Sequence, residues 1–265
     1  MKNITLATLF VIGSWLTACA TQLPSVHYAQ ELAPSGTLKA AINFGNPILA
    51  NRDLAGGPPK GVSVDIANEL GKRLGVPVQL VTFTSAGQAV EAVKTAQVDI
   101  GFVAVDPARG ADIGQTPPYV VIEGAYLVRN DSPIRQNSEV DRPGVRIAVG
   151  RASAYDLYLS REIKAAKLVP AATSPLVVDL MVQQNVEVAA GVKQQLLMDA
   201  QRYPGLRLLN GRFMVIHQAM GLPKGRPEAQ KYLDAFVEDL KASGFVAAAL
   251  QRHGIEGALV APAGR

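Results

Sequence analysis

Two long extended apolar runs break an otherwise regular alternation of strands and helices, and they restrict the fold of this chain more than any other feature. They are residues 120–128 (VVIEGAYLV) and 213–220 (FMVIHQAM). Ahead of the first run the pattern reads strand at 38–42, helix at 64–74, strand at 78–83, helix at 86–96 and strand at 98–105. The helix at 64–74 follows from the spacing of Val64, Ile66, Ala67, Leu70 and Leu74, and Gly75-Val76-Pro77 stops it. Between the two runs the pattern restarts after a polar loop: strand at 145–149, helix at 154–166, short strand at 167–169, helix at 176–184 and strand at 186–190. Two helices, 227–243 and 245–253, follow the second run. A βαβα order builds a parallel sheet covered by helices. The chain therefore reads as two similar α/β units joined by two long strands. The second strand returns to the first unit, which the C-terminal helices complete.

The N-terminus is a targeting segment rather than structure. Lys2 supplies a positive start, and residues 4–16 are apolar or small without a charge, too short for a membrane span and of the length of a signal core. The segment ends in Leu16-Thr17-Ala18-Cys19, which resembles a lipobox whose cysteine becomes the lipid-modified N-terminus. Ala18-Cys19-Ala20 also fits an ordinary small-x-small cleavage site. An uncleaved anchor helix is the third reading, and in all three the body lies outside the cytoplasm. Cys19 is the only cysteine, so the body holds no thiol, disulfide or cysteine metal site.

A body of this size buries a sufficient core without disulfides. The net charge of +4 is spread along the chain, with no basic patch, which argues against a nucleic-acid partner. No G-x-S-x-G, H-E-x-x-H or Walker A sequence occurs, and His27, His217 and His253 lack metal-ligand spacing. No metal and no cofactor is implied.

Several short motifs stand in order along the body. They are Gly61-Val62-Ser63-Val64-Asp65-Ile66, Val98-Asp99-Ile100, Pro107-Ala108-Arg109, Thr116-Pro117-Pro118-Tyr119, the stretch from Arg146-Ile147-Ala148-Val149-Gly150 to Ser153, Leu240-Lys241-Ala242-Ser243-Gly244 and His253-Gly254. Each is weak alone; together, over residues 36–254, they resemble solute-binding protein family three, the amino-acid-type receptors of ABC importers. The resemblance implies a type II periplasmic-binding-protein fold, with two α/β lobes, each a mostly parallel sheet with flanking helices, on a two-strand hinge near residues 124–129 and 214–220. The expected organisation is signal peptide 1–18, tether 19–35, first part of lobe 1 at 36–126, lobe 2 at 127–213, completion of lobe 1 at 214–254 and a loose tail at 255–265. The function implied is capture of a small carboxylate-bearing ligand, an amino acid or related organic acid, between closing lobes. Delivery would be to an ABC permease by a monomer held to the membrane through Cys19, not by an enzyme. A cyclohexadienyl dehydratase on the same scaffold and a sensory module without transport are the alternatives.

The candidate binding residues divide by how they are reached. Arg109 follows an apolar strand and a Pro turn, at a strand's C-terminal end where open α/β sheets bind ligands; the resemblance makes it a carboxylate clamp, and the plain alternative is a solvated loop arginine. Ser153 begins a helix as Ser153-Ala154-Tyr155-Asp156, which resembles a capping box with Asp for Glu. The helix N-terminus there favours an anion, and the resemblance has it hold the same carboxylate. Asn46 is a turn residue before Pro47, and falls where the family has a stacking aromatic. Ala104 falls where many members carry a hydroxyl. Val192 departs most: the family's aspartate for the ligand's α-ammonium aligns with it. Either another acid serves or the ligand lacks that ammonium, because a desolvated ammonium without an anionic partner is costly. Glu123, polar inside an apolar run, is one substitute, unless it pairs with a neighbouring cation; Asp106 is another, unless it caps the Pro107 turn. Lys193 and Gln194 follow Val192, as cleft or surface residues.

Overall fold

The computed structural model describes residues 27–52 and 56–264; the signal segment, Cys19 and the first part of the tether lie outside them. In chain order the elements are α1 His27–Leu32, β1 Leu38–Asn43, α2 Val62–Leu74, β2 Val78–Phe83, α3 Ala86–Lys94, β3 Ile100–Ala104, α4 Pro107–Asp112, β4 Ile113–Gln115 and β5 Val120–Arg129. The second half adds β6 Arg146–Gly150, α5 Ala154–Glu162, β7 Lys167–Ala171, α6 Val177–Gln183, β8 Val188–Val192, α7 Lys193–Arg202 and β9 Leu206–Leu208. The chain then returns through β10 Met214–Pro223, α8 Pro227–Ala242, α9 Phe245–Arg252 and β11 Leu259–Val260.

One mixed sheet runs through the molecule in the order β2-β1-β3-β10-β5-β8-β6-β7. Its flanks are parallel: β1 with β2 and β3, and β6 with β7 and β8. The centre is antiparallel, because β5 and β10 are too long to belong to one side. The first part of β5 pairs with β10, Val120 opposite Gln218 through Gly124 opposite Met214, and its second part pairs with β8, Gly124 opposite Val192 through Val128 opposite Val188. β10 likewise passes on to β3, with Gln218 opposite Ala104. Two strands thus carry the chain between the halves. β3 and β8 are buried along their whole length, as strands covered on both faces must be. One apolar core runs through both halves, with a satellite under α6 and α7 and another under α3.

Three differences from the sequence expectations have identifiable causes. The helix expected to reach residue 166 ends at Glu162. The Asp141 carboxylate accepts the backbone N–H groups of Lys164, Ala165 and Ala166 at 2.9, 2.7 and 2.8 Å, offering this backbone partners outside a helix. Those bonds hold the Asp141 carboxyl below its ordinary range. The end of the expected tether belongs to the body: α1 packs on α8, Leu32 is fully buried, and Tyr28 stacks on Tyr232 at 4.1 Å. The tail is not loose. β11 pairs with the start of β5, Ala258 and Ala261 are buried, and Lys241 Nζ donates to the Pro262 carbonyl at 2.8 Å.

Candidate functional site

A cleft lies between the two halves, where the C-terminal ends of β1 and β3 face the start of α5 and the end of β8. Its first wall carries Asn46, Phe102, Ala104 and Arg109; its second carries Ser153, Tyr155, Ser174 and Val192. Ile216 and Gln218 of β10 form part of its lining.

Arg109 is placed by a short helix built for the purpose. Pro107 opens α4, and Asp106 caps it, Oδ1 accepting the Ala108 N–H at 2.9 Å. The guanidinium on the next residue is 5% exposed. Nη1 reaches the Ala104 carbonyl at 3.5 Å, and Nη2 donates to the Ala152 carbonyl of the other half at 3.0 Å. No carboxylate among the described residues pairs with it. Burial pulls its pKa down to about 10, against the nearby charge of Asp106. The group therefore stays charged at neutral pH, with donors to spare and no counter-ion in contact.

The loop that meets it is held in a sparsely populated conformation. Ala152 has φ +55°, in the left-handed region. Its N–H donates to Asp156 Oδ2 at 2.8 Å, and its carbonyl takes the arginine. A side chain on Gly87 of α3 would stand 2.8 Å from the Ala152 Cβ, so glycine there lets the two halves approach. Ser153 is the N-cap of α5, its Oγ accepting from Asp156 N at 3.2 Å. Asp156 reaches back to Ala152 rather than to Ser153, one residue further than a capping box requires. The first amides of α5, at Ala154 and Tyr155, have no partner in the helix and stand at the cleft wall.

Five of the residues singled out in the sequence, Arg109, Ser153, Asn46, Ala104 and Val192, therefore line one cleft. Asn46 is also a turn residue, as expected, its carbonyl accepting from Leu49 and Ala50; its Oδ1 is buried without a hydrogen bond. Val192 ends β8 and presents an alkyl side chain that is 6% exposed. Glu123 is the correction. The alternation of β5 puts it on the face opposite Ile122, outside the cleft lining, in a separate depression. There its carboxylate accepts from Lys193 Nζ at 2.8 Å and Arg212 Nη1 at 2.9 Å, which hold its pKa below the usual carboxylate range. Asp106 is likewise committed, to its cap and to Arg161 Nη2 at 2.9 Å. Gln194 spans the halves by donating to the Glu256 carbonyl at 2.8 Å.

Several cleft residues escaped the sequence reading, Gln218, Tyr155 and Ser174 among them. Gln218 carried a signal, as a polar side chain in an apolar run; it is 5% exposed. Tyr155 lay beside Ser153 with nothing to say that it packs inward; burial pushes its phenol well above the ordinary range. Ser174 had no signal, since its place depends on packing over Gly150, where a Cβ would meet its Oγ at 2.4 Å.

Comparison with known proteins agrees with this layout. The sequence model of bacterial extracellular solute-binding proteins, family 3, matches residues 47–256. Among solved structures, the solute receptors for L-cysteine of Neisseria gonorrhoeae match with a TM-score of 0.75 at 19% identity, over 86% of this chain and 95% of theirs. A binding component of an ABC transporter from Wolinella succinogenes, complexed with lysine, matches at 0.72 and 20%, over 82% and 95%. An ancestral amino acid-binding protein, a precursor of cyclohexadienyl dehydratase, matches at 0.72 and 20%, over 84% and 98%. At these identities the likeness establishes the fold, that of type II periplasmic binding proteins. No curated protein matches the sequence.

Proposed function

The chain belongs to the bacterial extracellular solute-binding proteins, family 3, and from that premise we propose that it is the extracytoplasmic receptor of an ABC importer for a small carboxylate-bearing ligand. The observation that carries the reading is Arg109: a buried guanidinium in the inter-lobe cleft, bonded to a carbonyl from each half and to no carboxylate. A carboxylate would meet it through two parallel charge-assisted hydrogen bonds, a geometry that lysine could not reproduce. The Ser153 end of α5 adds free amides and positive potential from the second lobe.

Closure follows from the same contacts. The ligand touches both walls, so it binds the closed form better than the open one and shifts the population by that difference alone. β5 and β10 absorb the movement as the hinge, over residues 124–129 and 214–220. The lobe tips dock on the permease, and the receptor acts as a monomer. The family implies a location outside the cytoplasm. Anchoring through a lipid on Cys19 belongs to the same proposal, and is checked by whether the protein fractionates with membranes until Cys19 is replaced by serine.

Binding without chemistry is the reading favoured over a dehydratase. A leaving hydroxyl needs an acid in the cleft to protonate it, and among the described residues the lining includes no Asp, Glu or His. A thermal-shift screen of the mature chain against amino acids, keto acids and small organic anions tests the receptor reading. A true ligand at a hundred times its Kd adds about 2.7 kcal/mol, a rise of roughly 5–10 °C. A flat response to every carboxylate in the screen would sink it.

A further inference from the structure

We propose that the cleft is built for a net-anionic hydroxy acid with a small apolar skeleton, and selects against the zwitterionic amino acid of the same skeleton. The inference rests on the receptor reading above and adds the chemistry of the ligand's second polar group.

The charges around the cleft decide between the two. Among its described lining residues Arg109 is the only ionised side chain. The carboxylates of Asp106, Asp156 and Glu123 are engaged elsewhere. Asp106 accepts from Ala108 N and Arg161; Asp156 accepts from Ala152 N; Glu123 sits in the outer depression with Lys193 and Arg212. A zwitterion would neutralise Arg109 with its carboxylate and leave its ammonium among neutral groups, the polar side chains of Asn43, Asn46, Ser174 and Gln218 beside Val192, Phe102 and Ile216, without an anion. A desolvated charge in that position is strongly disfavoured. A monoanion leaves the closed cleft neutral.

The hydroxyl follows from Asn46. Its Oδ1 is buried and makes no hydrogen bond within the protein. A buried acceptor without a partner costs its full desolvation, and a ligand that brings a donor recovers it. A keto acid offers only acceptors, and a plain alkanoate offers nothing. A hydroxyl supplies the neutral donor. Val90, Phe102 and Ile216 surround the remaining space with apolar surface, which accepts a short alkyl or aryl group.

The test is calorimetry on the mature chain with matched sets of four acids: 2-hydroxy, 2-amino, 2-oxo and unsubstituted. Three-carbon, branched six-carbon and phenyl-bearing skeletons are each taken through the set. The expected result is one skeleton whose hydroxy acid binds at least about tenfold tighter than its other three members. Val192→Asp, which restores an anion to the wall, is expected to reverse the order and make the amino acid the tightest. Asn46→Leu is expected to erase the gap between hydroxy acid and unsubstituted acid. An amino acid that binds tightest to the unaltered protein overturns this inference and leaves the receptor reading standing. A keto or unsubstituted acid that binds tightest overturns the assignment of the hydroxyl. Failure of every acid in all three sets, with a thermal screen equally flat, overturns the receptor reading itself.

Discussion

The cleft around Arg109 and the depression around Glu123 both lie where the two halves of the molecule meet, yet they treat charge in opposite ways. Arg109 is almost wholly buried and finds only two carbonyls, at 3.5 and 3.0 Å. Glu123 is 28% exposed and finds two cations, at 2.8 and 2.9 Å. A charged residue stands out at both positions in the sequence, Glu123 inside an apolar run and Arg109 just after a Pro turn, so charge alone does not separate them. What separates them is completion. The Glu123 cluster is satisfied by the protein's own side chains and needs nothing from outside. The Arg109 site holds a buried charge that the fold leaves without a counter-ion, an arrangement that costs stability unless something else supplies the anion.

That contrast breaks first at Arg109, where the largest effect is expected. Arg109→Met removes the clamp and is expected to weaken binding of any carboxylate ligand by at least about 100-fold, or about 3 kcal/mol, as measured by calorimetry. The same substitution replaces an uncompensated buried charge by an apolar side chain of similar length, so the melting temperature of the ligand-free protein should hold or rise. A variant that loses stability and binding together would make Arg109 a structural residue like Glu123.

A smaller effect is expected at the pair that bridges the lobes beside the cleft. Asp106, 5% exposed, caps the helix bearing Arg109 and accepts from Arg161 on α5. Arg161→Met should leave the cap in place and remove one bond made only when the halves are together. Binding should weaken by about three- to tenfold through the closed population, on the order of 1 kcal/mol. A label pair spanning the cleft should report a more open ensemble; the body's freedom from cysteine makes such labels simple to place. Unchanged affinity and unchanged distance would reduce the pair to a surface contact.

The fold was legible in the sequence where local pattern and burial coincide. Apolar spacing fixed α2, and the two long runs foretold β5 and β10, because a ten-residue strand buried along most of its length leaves a long apolar trace. α7 and β11 were not legible. α7 has no strong apolar face in its sequence, KQQLLMDAQR, and leaves Leu197 and Met198 exposed. β11 has two residues and exists because the start of β5 offers it an edge. The cleft was half legible. Arg109 and Ser153 advertise themselves through a Pro turn and an N-cap, which are local devices. Tyr155 and Ser174 reach the cleft through packing between elements distant in the chain, and no spacing encodes that. Glu123 was misleading because pairing with Lys193 and Arg212, the second of them 89 residues away, cannot be read from a strand's own composition.

The smallest expected effect is the sharpest test of the contrast. Lys193 and Arg212 are 38% and 59% exposed, so water and salt screen much of their attraction for Glu123. Glu123→Gln should therefore cost less than about 1 kcal/mol of stability at neutral pH, and less again in high salt. The pH dependence has a definite sign. Hydrogen bonds from Lys193, then Arg212, lower the folded-state pKa of Glu123, so the unfolded chain takes up the proton first. The stabilisation is thus complete above the ordinary carboxylate range, near about 4.3, and is lost as the pH falls through the lower folded value. Denaturant titrations of the two proteins should differ slightly at pH 7 and converge in acid, while ligand affinity stays within about twofold. A tenfold loss of affinity in the Gln variant would mean that Glu123 reaches the ligand after all. The zwitterion would then have found its anion, and the argument for a hydroxy acid would fall with the contrast on which it rests.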